Sequence, residues 1–547
     1  MAGISGRLDS FQAGGVVVWA LSNDETVTSG DLMAALPSFD HRLQGAWVAA
    51  ANGYFEVDGS GDITKAVRLS AACGMAASYC LAGDGTTTAA NAVSDTSYAA
   101  GTGTSYVAPQ IAGTVALLAE AFPDLTPEEW TKRLLASADN SWFRRLGVPI
   151  SGSIDYGNGV SHAYSSEWGH GVLDIAAALS LIGSVSVLSG DNVISSSRTD
   201  IDESVVATPN SFGDGLENAL AGEQLAVFDA LNRSYAVQGS ALVTPQVTPI
   251  LPGMLQDVSD TRWGALPSRR DILSNLPEGS AEQSGASISM LKTPTGLFET
   301  SATAAPKAAG SVFSLGGESL ALTATHRNGS VAVTAVGFAG VGQADPANVL
   351  AGTGVNVSLG DESRVNLGLS LMSEEGSLLG LARNDAFNWG DGATIGTIHL
   401  SVDHELASGL QVFGRLEHGM ASRTGTASGL VSSLSAVQFS SFELGARMES
   451  VFTGEDALQV SVNQPLRIES GTMNMQVPTG RTAEGQIENR QVSADLGPSG
   501  RELDLSLNYE MAVGEGKLHL GVQYSLDAGH VRDASAAGVA VGFGQRF

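Results

Sequence analysis

Gly103-Thr104-Ser105-Tyr106-Val107-Ala108-Pro109, followed by Ala112-Gly113 and the apolar run Val115-Ala116-Leu117-Leu118, is the stretch on which the reading of this chain turns. A glycine ahead of a small hydroxyl residue permits a tight turn, and the residues behind it carry an apolar helical face from Ala112 to Ala121. Ser105 then stands at the mouth of a helix. Unpaired backbone N–H groups and the positive end of the helix dipole favour developing negative charge there. A serine so placed is a candidate nucleophile; the plainer reading is a helix N-cap, in which the hydroxyl only satisfies a backbone donor.

Gly14-Gly15-Val16-Val17-Val18-Trp19-Ala20-Leu21-Ser22-Asn23 reads as a buried parallel strand, β-branched and bounded by glycines, that ends in an asparagine. With the first stretch it resembles the subtilisin-like serine peptidases. Their nucleophile segment is Gly-Thr-Ser-x-x-x-Pro followed by Ala-Gly, and their corresponding strand ends in Ala-Ala-Gly-Asn. The resemblance implies an α/β domain with Ser105 as nucleophile and Asn23 donating its side-chain amide to the oxyanion. It also implies a peptide or protein substrate and no metal or organic cofactor. Leu21-Ser22 replace the family's Ala-Gly, which keeps the donor but removes a glycine's backbone freedom beside it.

Subtilisin-like enzymes order their triad Asp, His, Ser, with the asparagine between His and Ser. Only 22 residues precede Asn23, too few to present the first two. Asp9 lacks an Asp-Ser/Thr-Gly context, and His41 falls after Asn23 without His-Gly-Thr around it. No triad Asp or His is therefore identified. Met1 to Arg7 holds no charged segment followed by an apolar one, so no signal peptide is read there. The expectation is an N-terminally truncated enzyme; a shortened pseudoenzyme is the competing account.

The resemblance continues past Ser105. Thr126-Pro127-Glu128-Glu129 is a capping box with proline at the first helical position, opening a helix through Trp130, Leu134 and Leu135. Trp168-Gly169-His170-Gly171-Val172-Leu173-Asp174, then Ala176 to Leu179, resembles the closing segment of many such domains, which puts the domain end near residue 185; His170, between two glycines of that motif, reads as structural, a substitute catalytic histidine being the other reading. Cys73 and Cys80, the whole cysteine complement, lie where exported relatives carry Cys-Gly…Cys. In an exported protein they read as one disulfide, two free buried thiols being the other reading. No partner follows at zinc spacing, so no metal site is expected.

Residues 186–285 read as a poorly periodic linker marked by Thr208-Pro209, Thr244-Pro245, Thr248-Pro249 and Leu251-Pro252. One helical passage is expected within it, Gly215 to Leu220 continuing through Leu225 to Leu231. From residue 286 strict alternation recurs, at Val365 to Leu371, Phe442 to Met448, Leu458 to Val462, Met473 to Val477, Leu503 to Tyr509 and Leu518 to Tyr524. Turns such as Asn328-Gly329 and Pro498-Ser499-Gly500 separate the runs. A transmembrane barrel and a soluble sandwich share this pattern. The end of the chain favours the barrel: Val539, Val541 and Phe543 alternate with small residues and the last residue is Phe547, which resembles the terminal signature of bacterial outer-membrane proteins, Gln545 departing from it.

With 57 acidic and 28 basic residues the formal charge is −29, which disfavours nucleic acid as a partner. No apolar run approaches the roughly 20 residues of a spanning helix, so only a closed barrel could cross a membrane. The expected organisation is multidomain. Residues 1–185 form the C-terminal part of a subtilisin-like α/β domain, 186–285 a linker, and 286–547 an all-β transmembrane barrel of about a dozen strands, as in autotransporter translocators. The complete protein is expected at the bacterial outer membrane or cell surface as a serine endopeptidase, inactive as this chain. A non-catalytic outer-membrane barrel with a remnant peptidase domain is the alternative.

Overall fold

The β-branched run after Gly15 forms the strand Val17–Ala20 in a computed structural model that describes residues 2–245, 270–271, 282–291, 312–342, 348–360, 363–514 and 516–545. Phe547, Thr248-Pro249 and Leu251-Pro252 lie outside the described residues. Contacts divide the chain into two compact units. The first is Met1–Ile201, Leu225–Ala236 and Pro478–Asn489; the second is Asp202–Gln224, Val237–Val477 and Arg490–Phe547.

In the first unit Val17–Ala20 pairs in parallel with Trp47–Val57, which pairs in parallel with Cys80–Gly83 on its other side. Such a central strand must be apolar on both faces, and Trp47 through Ala51 are fully buried. The helix Thr104–Ala121 packs on this sheet through Val107, Ile111, Thr114 and Leu118. Pro127–Ala136 follows with the complete capping box: the Thr126 hydroxyl accepts from Glu129 N–H, and the Glu129 carboxylate accepts from Thr126 N–H. Trp142 stands edge-on to both Phe143 and Trp168, closing an aromatic cluster with Phe55.

The described stretch 186–245 of the expected linker is folded. Strands Val185–Ser189, Ser197–Asp200, Gln224–Asp229 and Ser234–Gln238 make a four-stranded sheet. The helical passage is only half helix. Gly215–Ala221 is helical, but after Gly222 the run Leu225 to Phe228 is a strand buried on both faces. Glycine ends the helix, and continuous burial beside Leu188 and Ile487 suits an extended segment better than a one-sided helix. At its end Asp229 accepts from the N–H groups of Leu231 and Arg233 and pairs with Arg133 of the capped helix at 2.7 Å, both side chains fully buried.

The second unit carries an antiparallel ladder of twelve long strands between Glu282–Leu291 and Ser535–Gln545, with the short Arg270–Asp271 at one edge. No pairing between its first and last strands is found among the described residues. Some neighbours in the ladder are joined by two-residue turns, as at Gly329-Ser330, where the Gly329 φ of 58° favours glycine, and others by longer segments such as 376–391 and 471–502. Met473 to Val477 is a strand as expected, but it belongs to a separate three-stranded sheet with Val431–Leu434 and is buried there.

The ladder is inverted relative to a water-soluble sheet. Along Ser363–Glu375, Val365, Leu367, Leu369 and Leu371 are exposed while Asn366, Ser370 and Glu374 are buried. The same holds elsewhere: Ile398, Leu400, Leu505, Leu507, Val539, Val541 and Phe543 face out, and Thr397, Glu417, Glu443, Asp504 and His519 face in. The buried carboxylates have partners. Glu417 meets His399 at 3.1 Å, Glu443 meets Arg415 at 2.8 Å, and Glu374 accepts from Ser377 and the N–H groups of Leu379 and Gly380. No helix among the described residues is long and apolar enough to cross a membrane.

Candidate active site

Ser105 is the second residue of the helix Thr104–Ala121, with Gly103 at the N-cap position, so its hydroxyl is not spent as a cap. It is exposed, and its hydroxyl and N–H have no hydrogen-bond partner among the described residues. The two neighbouring donors are already committed: Thr104 N–H to the Asn23 carboxamide oxygen at 2.9 Å and Tyr106 N–H to Gly103 at 3.0 Å. The Ser105 N–H is thus left as a free donor in the first turn. Pro109, four residues on, has no N–H to give the Ser105 carbonyl.

Asn23 lies three residues beyond its strand, exposed, with its oxygen end fixed by Thr104. An amide whose oxygen is occupied has its nitrogen turned the other way, which leaves two N–H donors for an incoming group. Gly103 makes this approach close. A Cβ there would meet the Asn23 oxygen and nitrogen at 3.2 and 3.4 Å. Close contact with the Asn23 side chain, rather than turn conformation, explains that glycine.

Two side chains that the sequence reading did not single out hold this arrangement. The Thr104 hydroxyl, buried, stands 2.6 Å from the Leu21 carbonyl and 3.1 Å from the Asn23 oxygen. Asn52, fully buried at the end of the Trp47–Ala51 run, accepts from Gly85 N–H at 2.8 Å and donates to the Thr102 hydroxyl at 3.1 Å. It clamps both ends of the exposed hairpin Thr86–Ala90/Tyr98–Thr102 that leads into Gly103. A polar residue closing a fully apolar strand was the available signal, because buried amides require partners.

The histidines are placed elsewhere. His41 is exposed and accepts from Gln44 at 2.8 Å. His170 is fully buried: its Nε2 donates to the Ser78 carbonyl at 3.1 Å and its Nδ1 faces His162 Nδ1 at 3.0 Å. Burial pushes its pKa down to about 4, and the neighbouring His162, itself pushed down by burial, adds repulsion to a second charge. The glycines around it are needed for packing. At Gly169 and Gly171, both with positive φ, a Cβ would strike the Cys80 and Asp139 carbonyls. Cys73 and Cys80 are joined as a disulfide, with Cα atoms 6.1 Å apart, around the turn that carries Ser78. No cluster of three or more metal-binding side chains occurs among the described residues.

Residues 5–171 match the subtilase family. That stretch contains Asn23 and Ser105 and ends at Gly171, the second glycine around His170. It supports a subtilisin-like fold for the N-terminal domain and a peptidase of that type acting on peptide or protein substrates. No curated protein matches the chain.

Proposed function

We propose that the subtilase domain carries the nucleophile of a serine endopeptidase and that the β-rich region is its outer-membrane translocator, as in autotransporters. The observation that carries the enzymatic reading is the Thr104–Asn23 contact. It fixes the Asn23 carboxamide beside the helix mouth where the Ser105 N–H is also free. In acyl transfer the Ser105 hydroxyl attacks the scissile carbonyl and the Asn23 amide with the Ser105 N–H stabilises the oxyanion. A histidine takes the serine proton and returns it to the leaving amine, oriented by an aspartate. His41 and His170 are both engaged elsewhere, and neither is assigned that role.

The membrane reading is supported by the inverted ladder. An outward apolar face and an inward polar face are what strands require when one side meets lipid and the other a polar lumen. The cell surface of a bacterium is the corresponding location.

The test is labelling by a fluorophosphonate. Residues 1–547 alone should label at background, because in subtilisin the loss of the serine or histidine costs on the order of 10⁶ in rate. An N-terminal extension supplying the subtilase Asp and His motifs should produce labelling that Ser105→Ala abolishes. Persistent silence of the extended protein would favour the second reading, a non-catalytic barrel protein with a remnant domain, for which the unpartnered Ser105 hydroxyl speaks. Ser105-dependent labelling of the unextended chain would place the base within it.

A further inference from the structure

The first unit is completed by a piece of sequence from far downstream. Arg481, nearly fully buried, makes a two-pronged ion pair with Glu129 at 2.7 and 3.0 Å and donates to the Asn232 carbonyl. Glu129 is the capping-box residue of the helix that follows Ser105's helix, so the downstream arginine neutralises a carboxylate already engaged in holding that helix start. Ile487 joins Leu188, Val193, Ala226 and Phe228 in a small apolar core, its N–H donating to the Asp191 carbonyl at 2.9 Å. Val193 N–H donates back to Gly485, and Asn489 donates to the Gly190 carbonyl.

The second unit contains upstream sequence in the same way. Asp214 accepts from Ser499 N–H at 2.8 Å and from its hydroxyl at 2.6 Å. Gly213 and Gly215 lie so close to Pro498 and to the Leu496 and Gly497 carbonyls that a Cβ at either would clash. Asn384 donates to the Val205 carbonyl at 3.1 Å, and Arg490 pairs with Glu223. Phe212, Leu216, Leu220 and Leu242 are fully buried.

We infer that a backbone cut between Pro245 and Arg270 does not release the N-terminal piece: Arg481 and Ile487 stay locked into the first unit, and Asp214 and its neighbours into the second. Neither piece would own a whole unit. The N-terminal piece supplies 202–224 and 237–245 to the second unit, and the C-terminal piece supplies 478–489 to the first. Separation requires both sets of buried contacts to open, so the two pieces behave as a reciprocally exchanged complex, and a peptidase domain on this chain remains held after processing there. This holds whether or not the serine is active and whether or not the ladder spans a membrane.

The test uses the full chain carrying Ser105→Ala, solubilised in mild detergent, with a specific-protease recognition sequence inserted after Pro245 and, in a second version, after Gly264. After complete cleavage the two pieces should elute together in native size exclusion and separate in denaturing electrophoresis. Elution of the N-terminal piece alone under native conditions, from both versions, would overturn the inference. In the cut protein Arg481→Glu combined with Asp214→Arg should shorten the lifetime of the complex at least tenfold. An unchanged lifetime would overturn the assignment of the lock to these segments.

Discussion

The carboxamide oxygen of Asn23 accepts from the Thr104 N–H at 2.9 Å, so the residue just before Ser105 fixes which way the Asn23 nitrogen points. Two elements 81 residues apart in the chain are thereby held in register by a contact that neither makes with substrate. The Thr104 hydroxyl has one proton, and its shorter contact, 2.6 Å, is to the Leu21 carbonyl on the same segment as Asn23.

Thr104→Val should therefore destabilise the domain by about 1–3 kcal/mol, the usual cost of leaving a buried carbonyl without its donor. Thr104→Ser should recover most of that loss. Urea denaturation followed by tryptophan fluorescence measures both, and equal midpoints for the valine and wild-type chains would contradict the assigned role.

Arg133→Met leaves the Asp229 carboxylate buried without its cation. Breaking a buried pair from one side costs about 3–5 kcal/mol, and the loss should be seen in the same denaturation signal. Asp229→Asn should also destabilise, because a neutral amide accepts less strongly from the N–H groups of Leu231, Arg233 and Ile182. A midpoint within error of wild type for both variants would exclude this pair as a structural anchor.

The pH dependence has a definite sign. His170 has a folded pKa of about 4 against about 6.5 for a free histidine. At pH above 6.5 both states are neutral and the full stability is present. As the pH falls from 6.5 to 4 the unfolded chain takes up a proton that the folded one refuses, and stability is lost, up to about 3 kcal/mol from this group. His170→Gln should flatten that part of the curve, measured as the urea midpoint between pH 7 and pH 4. An unchanged slope would assign the loss to other groups.

Cys73 and Cys80 should resist thiol labelling in the unfolded, unreduced protein. Reduction should cost roughly 2–3 kcal/mol, as expected for a loop this short. Stoichiometric labelling of both cysteines before reduction would mean that the pair is not oxidised.

The inverted ladder gives a sided prediction. Leu369 is 57% exposed and its neighbour Ser370 9%. If the outward face meets lipid, Leu369→Arg should destabilise the membrane-inserted protein by about 2–4 kcal/mol, as a cation does near the bilayer midplane. On a water-facing surface the same change would be nearly neutral. Salt-resistant recovery of wild type from membranes, with loss of the folded form in the arginine variant, is the expected pair of results.

Local chemistry made a good part of this molecule legible in the sequence. Gly103 to Pro109 announced the helix mouth, Val16 to Ala20 the strand before Asn23, Thr126 to Glu129 the capping box, and the alternating runs the long strands of the ladder. In each case the signal is carried by neighbours within a few residues, which is the range over which propensity, capping and periodicity act. The run Leu225 to Leu231 fits either period by its length, and only burial on both faces makes its first part, to Asp229, a strand. Met473 to Val477 has the same alternation as the ladder strands, yet its partners put it in another sheet.

The sequence by itself determined the helix mouth at Ser105, the amide at Asn23 and the two-residue alternation, since those depend on residue type and spacing alone. Only the tertiary structure decided which side of each strand faces out, that Thr104 and Asn52 hold the site, and that 478–489 completes the first unit while 202–224 and 237–245 complete the second. Those outcomes rest on pairings between residues tens to hundreds of positions apart, such as Glu129 with Arg481 and Asp214 with Ser499. Buried charges and donors must find partners wherever the fold places them, and no local pattern in the chain encodes which distant residue that partner will be.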